Sequence, residues 1–124
     1  MITGMHLTPI GEGNVLLEPG EGLDASDPDA YLVEMIDRLQ QLSARRLIYD
    51  LKSIPLIDTL YYEWLLSVNS MCQIAGIEMV VVNIRPPVAY NLALMIKETP
   101  PFGCALDVDG AREGNYTSRA DFSS

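Results

Sequence analysis

Residues 46–84, RLIYDLKSIPLIDTLYYEWLLSVNSMCQIAGIEMVVVNI, decide the fold because they hold two apolar strand-like runs separated by a helix-length segment. RLIYDL and EMVVVNI are short runs rich in apolar and β-branched residues, which is typical of buried strands. Between them, apolar residues recur at helical spacing, at Leu60, Trp64, Val68, Met71 and Ala75. This pattern predicts a helix that covers the sheet and ends near Gly76. Because EMVVVNI contains few polar residues, it predicts a central strand covered on both faces.

The flanking segments continue the alternation of strands and helices. NVLLEPGEGLD predicts a short strand at Val15 to Leu17, followed by a loop. DASDPDAYLVEMIDRLQQLSARR predicts a helix that begins near Pro28, with Ser26 or Asp27 as its capping residue. PPVAYNLALMIKE predicts a further helix with prolines in its first turn, and CALDV predicts a last short strand.

This order of elements predicts a single α/β domain over residues 1–124. We expect a mixed sheet of four or five strands with helices packed on it, since helices that connect parallel strands cover the sheet. The core is predicted at about residues 15–109. Residues 110–124 are polar and aperiodic and are predicted to form a flexible tail.

The charge balance limits the classes of partner. The chain has 124 residues, of which 17 are acidic and 8 basic, for a net charge of −9. Such a surface repels phosphate backbones and anionic lipids, so we expect neither nucleic-acid nor membrane binding, whereas a basic partner is favoured. The N-terminal residues lack a signal-peptide pattern and no apolar run approaches the ~20 residues of a membrane span, which predicts a cytoplasmic protein. Cys72 and Cys104 lack metal-ligand spacing and are interpreted as reduced, buried residues.

Residues that support enzyme chemistry are scarce. His6 is the one histidine and has no evident partner in sequence, which gives little support to histidine-based catalysis or zinc binding. No phosphate-binding glycine motif is present, and the GEG triplets at residues 11–13 and 20–22 are interpreted as turns. We therefore expect a protein that is not an enzyme and that needs no metal or cofactor.

Asp50 supports one alternative, a phospho-aspartate receiver, because this carboxylate ends a predicted buried strand and Pro55 follows it. Phosphorylation of that kind requires a magnesium site with an acidic pair after the first strand. Glu21 and Asp24 are separated and misplaced for such a pair. This alternative is therefore disfavoured.

Asp58 and Thr59 lie between the first apolar strand run and the following helix, and they admit two interpretations. Either side chain can cap the helix, which contributes about 1 kcal/mol to stability. Alternatively, Thr59 is exposed at the helix N-terminus and is phosphorylated by a partner kinase, which adds roughly −2 of charge. One hydroxyl can serve both purposes.

Residues 47–95, LIYDLKSIPLIDTLYYEWLLSVNSMCQIAGIEMVVVNIRPPVAYNLALM, resemble the STAS family of anti-sigma-factor antagonists. The likeness extends over about Val15 to Asp109, and its central motif is YDLKSIPLID followed by a hydroxyl residue. Simple antagonists continue with Ser-Ser-Gly-Leu, whereas this chain has DTLYYEWL and lacks the glycine. In this difference, and in the segment VVVNIRPPVA, the sequence is more similar to the stressosome scaffold subclass of the family.

The resemblance implies a non-enzymatic protein that binds and sequesters a switch serine/threonine kinase and is inactivated by phosphorylation. The family's acceptor falls on Thr59, preceded by the usual aspartate, Asp58. A second acceptor found in sensor-type paralogues falls on Asn91, so a second phosphorylation site is absent. The implied partners are multidomain STAS paralogues in a large assembly, and we also expect a homodimer. A ligand- or nucleotide-binding STAS module without a phosphorylation switch is the alternative.

The surface around Thr59 supplies the other predicted partner-binding residues. Helical projection places Tyr62, Glu63 and Leu66 away from the apolar face, together with Asn69, Ser70 and Gln73. Arg85 ends the central strand on the side of the sheet where Asp58 lies, and we expect the two to form an ion pair. The predicted partner surface thus consists of Asp58, Tyr62, Glu63, Leu66 and Arg85.

Overall fold

The computed structural model describes residues 4–96 and 98–116. Within them the chain forms five strands, β1 (Met5–Gly11), β2 (Asn14–Pro19), β3 (Arg46–Asp50), β4 (Glu78–Val82) and β5 (Gly103–Cys104). The same residues contain four helices, α1 (Asp29–Gln41), α2 (Thr59–Ile74), α3 (Pro86–Met95) and α4 (Val108–Arg112). None of the helices in these ranges has the length and apolarity needed to cross a lipid bilayer.

The strands form one mixed sheet in the order β1-β2-β3-β4-β5. β1 is antiparallel to β2, and the remaining neighbours are parallel. The predicted mixed α/β sheet is therefore confirmed. Asp50 pairs with Val82, so β3 and β4 end level with each other. The segments that follow these two strands consequently leave the sheet at the same edge, where ligand and partner sites of parallel sheets are commonly built.

The first strand was not predicted. β1 pairs with β2 through a two-residue turn at Glu12 and Gly13, whose φ angles of 58° and 80° match the left-handed turns that join antiparallel strands. His6 lies on β1 opposite Glu18, so the N-terminal segment has a strand partner. The strand predicted at Val15 to Leu17 is thus the second strand of the sheet.

Both faces of the sheet are covered. One face carries the main core, where Tyr49 and Val81 pack with residues of α1, α2 and α3. The other face carries a smaller cluster of Ile48, Val80, Val82 and Ala111. β4 contributes to both clusters, which confirms the prediction of a central strand covered on two sides.

The second cluster changes the interpretation of the C-terminal segment. Ala111 of α4 is fully buried against β3 and β4, so residues 110–112 belong to the fold rather than to a tail. Tyr116 packs against the same cluster, and its ring lies 5.3 Å from the guanidinium carbon of Arg46. Residues 117–124 of the predicted tail lie outside the described residues.

The apolar face of α2 is rotated relative to the predicted one. Trp64 and Val68 are buried as expected, but Leu60 is 45% exposed. Met71 and Ala75 are only half-buried. The fully covered positions also include Leu65, Asn69 and Cys72, and the prediction that Asn69 faces away from the core is therefore wrong. The error arises because the first half of α2 is apolar on several sides, so that periodicity alone does not select one.

Two smaller expectations also change. The N-terminal cap of α1 is Pro28, with no side-chain hydrogen bond, because Ser26 bonds to Asp24 in the preceding turn instead. Both cysteines are free thiols, with Cys72 buried and Cys104 half-buried. Burial raises the pKa of Cys72 to about 12 and that of Cys104 to about 11, so both thiols stay protonated at neutral pH.

Candidate functional site

The segment between β3 and α2 is fixed by contacts at both of its ends. The backbone N–H of Leu51 donates to the carbonyl of Val82, which ties the start of the segment to β4. Ile57, near its other end, is fully buried, and its carbonyl accepts a hydrogen bond from the side-chain amide of Asn91 on α3. The start of α2 is therefore held between the sheet edge and α3. Asn91, where the sequence resemblance implied that a second acceptor is absent, has this structural contact.

Asp58, not Thr59, caps α2. Its backbone is extended, with φ −95° and ψ 178°, and its carboxylate accepts from the backbone N–H of Tyr61 at 2.8 Å. This is the conformation and contact required of an N-cap residue. Thr59 is the first helical residue and is exposed, and its hydroxyl contacts only the sulfur of Met95 at 3.5 Å. The expectation that the Thr59 hydroxyl doubles as a cap is therefore wrong, and the hydroxyl is available.

A buried hydrogen-bonded group anchors the first turn of α2 to the sheet. The hydroxyls of Tyr49 and Tyr61 lie 2.7 Å apart, and the indole N–H of Trp64 donates to Tyr49 Oη at 2.9 Å. Burial raises the pKa of Tyr61 to about 12 and raises the pKa of Tyr49 well above its usual value. The two phenols therefore remain protonated at neutral pH. Because Tyr61 also donates its backbone N–H to Asp58, the same residue joins the cap to the core.

A groove of about 510 Å³ opens beside Thr59, between α2 and the segment that follows α3. Its lining residues come from these two regions and are Thr59, Tyr62, Glu63, Leu66, Met95, Ile96, Glu98, Thr99 and Pro101. Tyr62 and Leu66 are half-buried and pack on the main core, whereas Glu63 is exposed. The structure thus brings Thr59 together with three of the five predicted partner-binding residues. We call this surface the Thr59 groove.

The Thr59 groove has an apolar floor and an acidic rim. Tyr62 packs its ring edge-on against Phe102, with the ring centroids 6.3 Å apart. Burial, and then the nearby Cys104 and Glu98, raise the pKa of Tyr62, so its hydroxyl remains a neutral hydrogen-bonding group. Glu63 and Glu98 are the charged residues among the lining residues that the structure describes. This combination suits a partner that packs an apolar side chain on the floor of the groove.

Two predicted partner-binding residues do not line the groove. The carboxylate of Asp58 is used in the helix cap. Arg85 is the exposed N-cap residue of α3, and it forms no salt bridge with Asp58. The expected ion pair is therefore wrong. Among the described residues, the one salt bridge joins Lys52 Nζ to Asp50 Oδ2 at 3.7 Å.

Asp50 is committed to internal contacts. Its side chain is 3% exposed, and Oδ1 accepts from the backbone N–H of Lys52 at 2.9 Å and from Asn83 Nδ2 at 3.0 Å. The described part of the chain has no group of three or more histidine, cysteine, aspartate or glutamate residues able to hold a metal ion. Asp50 therefore links the ends of β3 and β4 and lacks the acidic neighbours that a receiver requires.

Five groove residues were not predicted from the sequence, namely Met95, Ile96, Glu98, Thr99 and Pro101. Met95 and Ile96 belong to the predicted helix PPVAYNLALMIKE, and the pattern of that segment does not reveal which other helix they contact. Residues 98–101 follow α3 without a periodic pattern, so no sequence signal indicates that they contact the start of α2.

Comparisons with known proteins place this geometry in context. The STAS domain family profile matches residues 9–98. A serine-to-glutamate variant of RsbS from Moorella thermoacetica superposes with a TM-score of 0.70 at 17% sequence identity, over 90% of this chain and 93% of that one. The NMR structure of protein TM1081 gives 0.68 at 15% identity, covering 91% and 86%. A stressosome structure, described as a signal integration and transduction hub, gives 0.61 at 14%, covering 89% and 95%. These likenesses concern the fold, and no curated protein matches the sequence.

Proposed function

Because the chain belongs to the STAS domain family, we propose that it is a non-enzymatic, phosphorylation-controlled antagonist or scaffold. It binds and sequesters a switch serine/threonine kinase in the cytoplasm, and phosphorylation at Thr59 inactivates it. The observation that carries the proposal is the exposed Thr59 hydroxyl at the start of α2, released from capping by Asp58 and bordered by a groove.

The position of Thr59 suits a phosphate. At the first residue of α2, an added phosphate lies near unpaired backbone N–H groups and the positive end of the helix dipole. Asp58 uses its carboxylate to accept from Tyr61, so the cap and the modification occupy different groups. Phosphorylation therefore leaves the folded core intact.

The Thr59 groove explains how the phosphate acts on a partner. Modification replaces the hydroxyl that contacts Met95 and adds roughly −2 of charge beside Glu63 and Glu98. A kinase bound over the groove holds its own nucleotide phosphates near Thr59, so the phosphorylated product faces like charges. The apolar floor at Tyr62 and Leu66 also becomes harder to desolvate next to a dianion. Binding is therefore weakened once the phosphate has been transferred.

The likeness in fold to a stressosome structure supports an extension of the proposal. The chain joins multidomain STAS paralogues in a large assembly, and it pairs with a second copy of itself. A protein in such an assembly needs one surface for the kinase and another for STAS neighbours. The Thr59 groove serves the first purpose.

The test is phosphorylation by a switch serine/threonine kinase encoded in the same genome, with ATP and Mg²⁺. Intact mass should increase by one phosphate, and peptide mapping should locate it at Thr59. Titration calorimetry should show that the phosphorylated form binds the kinase about 1–3 kcal/mol more weakly, through like-charge repulsion and desolvation.

Two variants serve as controls. Thr59→Ala should accept no phosphate, whereas Ser70→Ala, which alters another exposed hydroxyl of α2, should be modified like the wild type. The phosphate should also resist hydroxylamine, which cleaves an acyl phosphate on Asp50. Modification at Ser53 or Ser70, hydroxylamine-labile phosphate, or equal affinity of both forms would contradict the proposal.

A further inference from the structure

Met95 places a sulfur atom beside the proposed phosphate acceptor. Among the described residues, its thioether is the hydrogen-bond partner of the Thr59 hydroxyl, which donates to Met95 Sδ at 3.5 Å. Both residues line the Thr59 groove. A thioether is a weak acceptor, so this contact leaves the hydroxyl available to a kinase. A chemical change at the sulfur would therefore alter the bonding of Thr59 directly.

Exposure separates Met95 from most of the other methionines. The chain has six, of which Met1 lies outside the described residues. Three are nearly inaccessible in the main core, namely Met5, Met35 and Met79. Met71 and Met95 are half-buried, but Met71 lies about 18 Å beyond Thr59 along α2. Met95 is thus the accessible described methionine at Thr59, and the open groove gives small solutes a path to it.

The two thiols of the chain compete poorly for an oxidant. Peroxides react with the thiolate form of cysteine, and the reaction is slow when the thiol is protonated. Burial raises the pKa of Cys72 to about 12 and that of Cys104 to about 11. The thioether of Met95 needs no deprotonation, because its lone pairs are free at any pH. Methionine is therefore the more reactive sulfur beside the groove.

We propose that Met95 is a reversible oxidation site and that its sulfoxide captures the Thr59 hydroxyl. The oxidant is a hydroperoxide such as H₂O₂. A lone pair of Sδ attacks one peroxide oxygen, the O–O bond breaks, and the leaving hydroxide takes the proton of the transferred oxygen to form water. The sulfur loses two electrons and the peroxide gains them. Methionine sulfoxide reductases reverse the change.

Oxidation changes both the hydroxyl and the floor of the Thr59 groove. The new oxygen is bonded to Met95 Sδ, 3.5 Å from Thr59 Oγ1, and so comes within hydrogen-bond reach of the hydroxyl after a small side-chain rotation. It then holds the proton that the catalytic base of a kinase must accept during phosphoryl transfer. It also puts a polar group into the apolar floor, which weakens partner packing. The effect on phosphorylation rests on the function proposed above, whereas capture of the hydroxyl does not.

The first experiment needs no kinase. The protein is treated with H₂O₂, and peptide mass mapping follows each methionine over time. Met95 and Met71 should be oxidised at least about tenfold faster than the buried Met35, since a buried residue reacts only when the structure opens. Both cysteines should remain free thiols. Oxidation of Met95 no faster than that of Met35 would overturn the proposal.

NMR spectroscopy of the same samples tests the capture of the hydroxyl. On oxidation, the Thr59 methyl resonance should shift and its χ1 couplings should indicate one rotamer, because the hydroxyl gains a strong acceptor. Met71→Leu is the matched control, since it removes the other half-buried methionine, and it should respond like the wild type. Met95→Leu should show no response. A Thr59 side chain unchanged in the oxidised wild type would overturn the proposal.

The second experiment measures the effect on phosphorylation. Peroxide is destroyed with catalase before kinase and ATP are added, and each protein is compared with its own untreated form. Oxidation should slow the initial phosphorylation of Thr59 about 3- to 10-fold in the wild type and in Met71→Leu, the effect of one competing hydrogen bond. A sulfoxide reductase should restore the rate. Met95→Leu should be insensitive to peroxide.

The outcomes separate this proposal from the function it rests on. Equal rates for the oxidised and reduced wild type, or a Met95→Leu variant that peroxide still slows, would overturn control of Thr59 by Met95 and leave the phosphorylation itself standing. Absence of phosphate from untreated Thr59 would contradict the proposed function instead. The mass mapping and the NMR spectra would then decide whether the Met95 sulfoxide forms and captures the hydroxyl.

Discussion

Asp50 ends β3 and Thr59 begins α2, and both are residue types that accept phosphate, yet their surroundings differ sharply. Asp50 is 3% exposed and contacts Lys52 and Asn83. Thr59 is exposed and has one weak contact to a thioether. The comparison shows that a residue type able to accept phosphate has a structural role when its side chain is hydrogen-bonded inside the protein, as in Asp50. It is suited to regulation when its side chain is exposed and nearly free of contacts, as in Thr59.

The contrast predicts that Asp50 matters most for stability. Asp50→Ala leaves the side-chain amide of Asn83 and the backbone N–H of Lys52 without their acceptor at the sheet edge. We expect the free energy of unfolding to fall by about 2–3 kcal/mol, because two part-buried hydrogen bonds to a charged acceptor are lost. Urea denaturation followed by circular dichroism measures this change.

Asp50→Asn is the matched control, because it retains one acceptor oxygen in nearly the same volume. It should lose less stability than Asp50→Ala. A loss below about 0.5 kcal/mol for the alanine variant, the size typical of neutral surface changes, would break the contrast with Thr59.

Asp58 should have an intermediate effect. Asp58→Ala removes the side-chain acceptor for the backbone N–H of Tyr61 at the start of α2. We expect a loss of about 1 kcal/mol in unfolding free energy, as for other N-cap truncations. Asp58→Asn should retain most of the stability, since asparagine caps about as well as aspartate. Equal stability of the alanine variant and the wild type would show that another group caps the helix.

Thr59 should have the smallest effect. Thr59→Ala removes a hydroxyl whose one contact is the Met95 sulfur at 3.5 Å. The unfolding free energy should change by less than about 0.5 kcal/mol, as for exposed substitutions away from caps and cores. The two alanine variants should be measured under the same conditions. A larger loss of unfolding free energy for Thr59→Ala than for Asp58→Ala would show that Thr59, not Asp58, caps α2.

The main elements could be predicted from sequence because each has a strong periodic pattern. RLIYDL and EMVVVNI became β3 and β4, and the apolar spacing between them became α2. β1 was missed because MHLTPIG mixes a histidine, a threonine and a proline among its apolar residues, and its strand identity depends on pairing with β2. α4 was missed because five residues are too few to establish a helical period.

At the candidate site, the sequence by itself determined that a carboxylate and a hydroxyl meet at the start of a helix after a buried strand. It also supplied Tyr62, Glu63 and Leu66 one helical turn or more beyond them. Only the tertiary structure decided that Asp58 caps and Thr59 does not, because the choice depends on the backbone angles that the buried Ile57 and its bond to Asn91 impose. Only the tertiary structure brought Met95 and Glu98 to Thr59, since the two regions lie 36 residues or more apart and sequence spacing carries no information on contacts of that range.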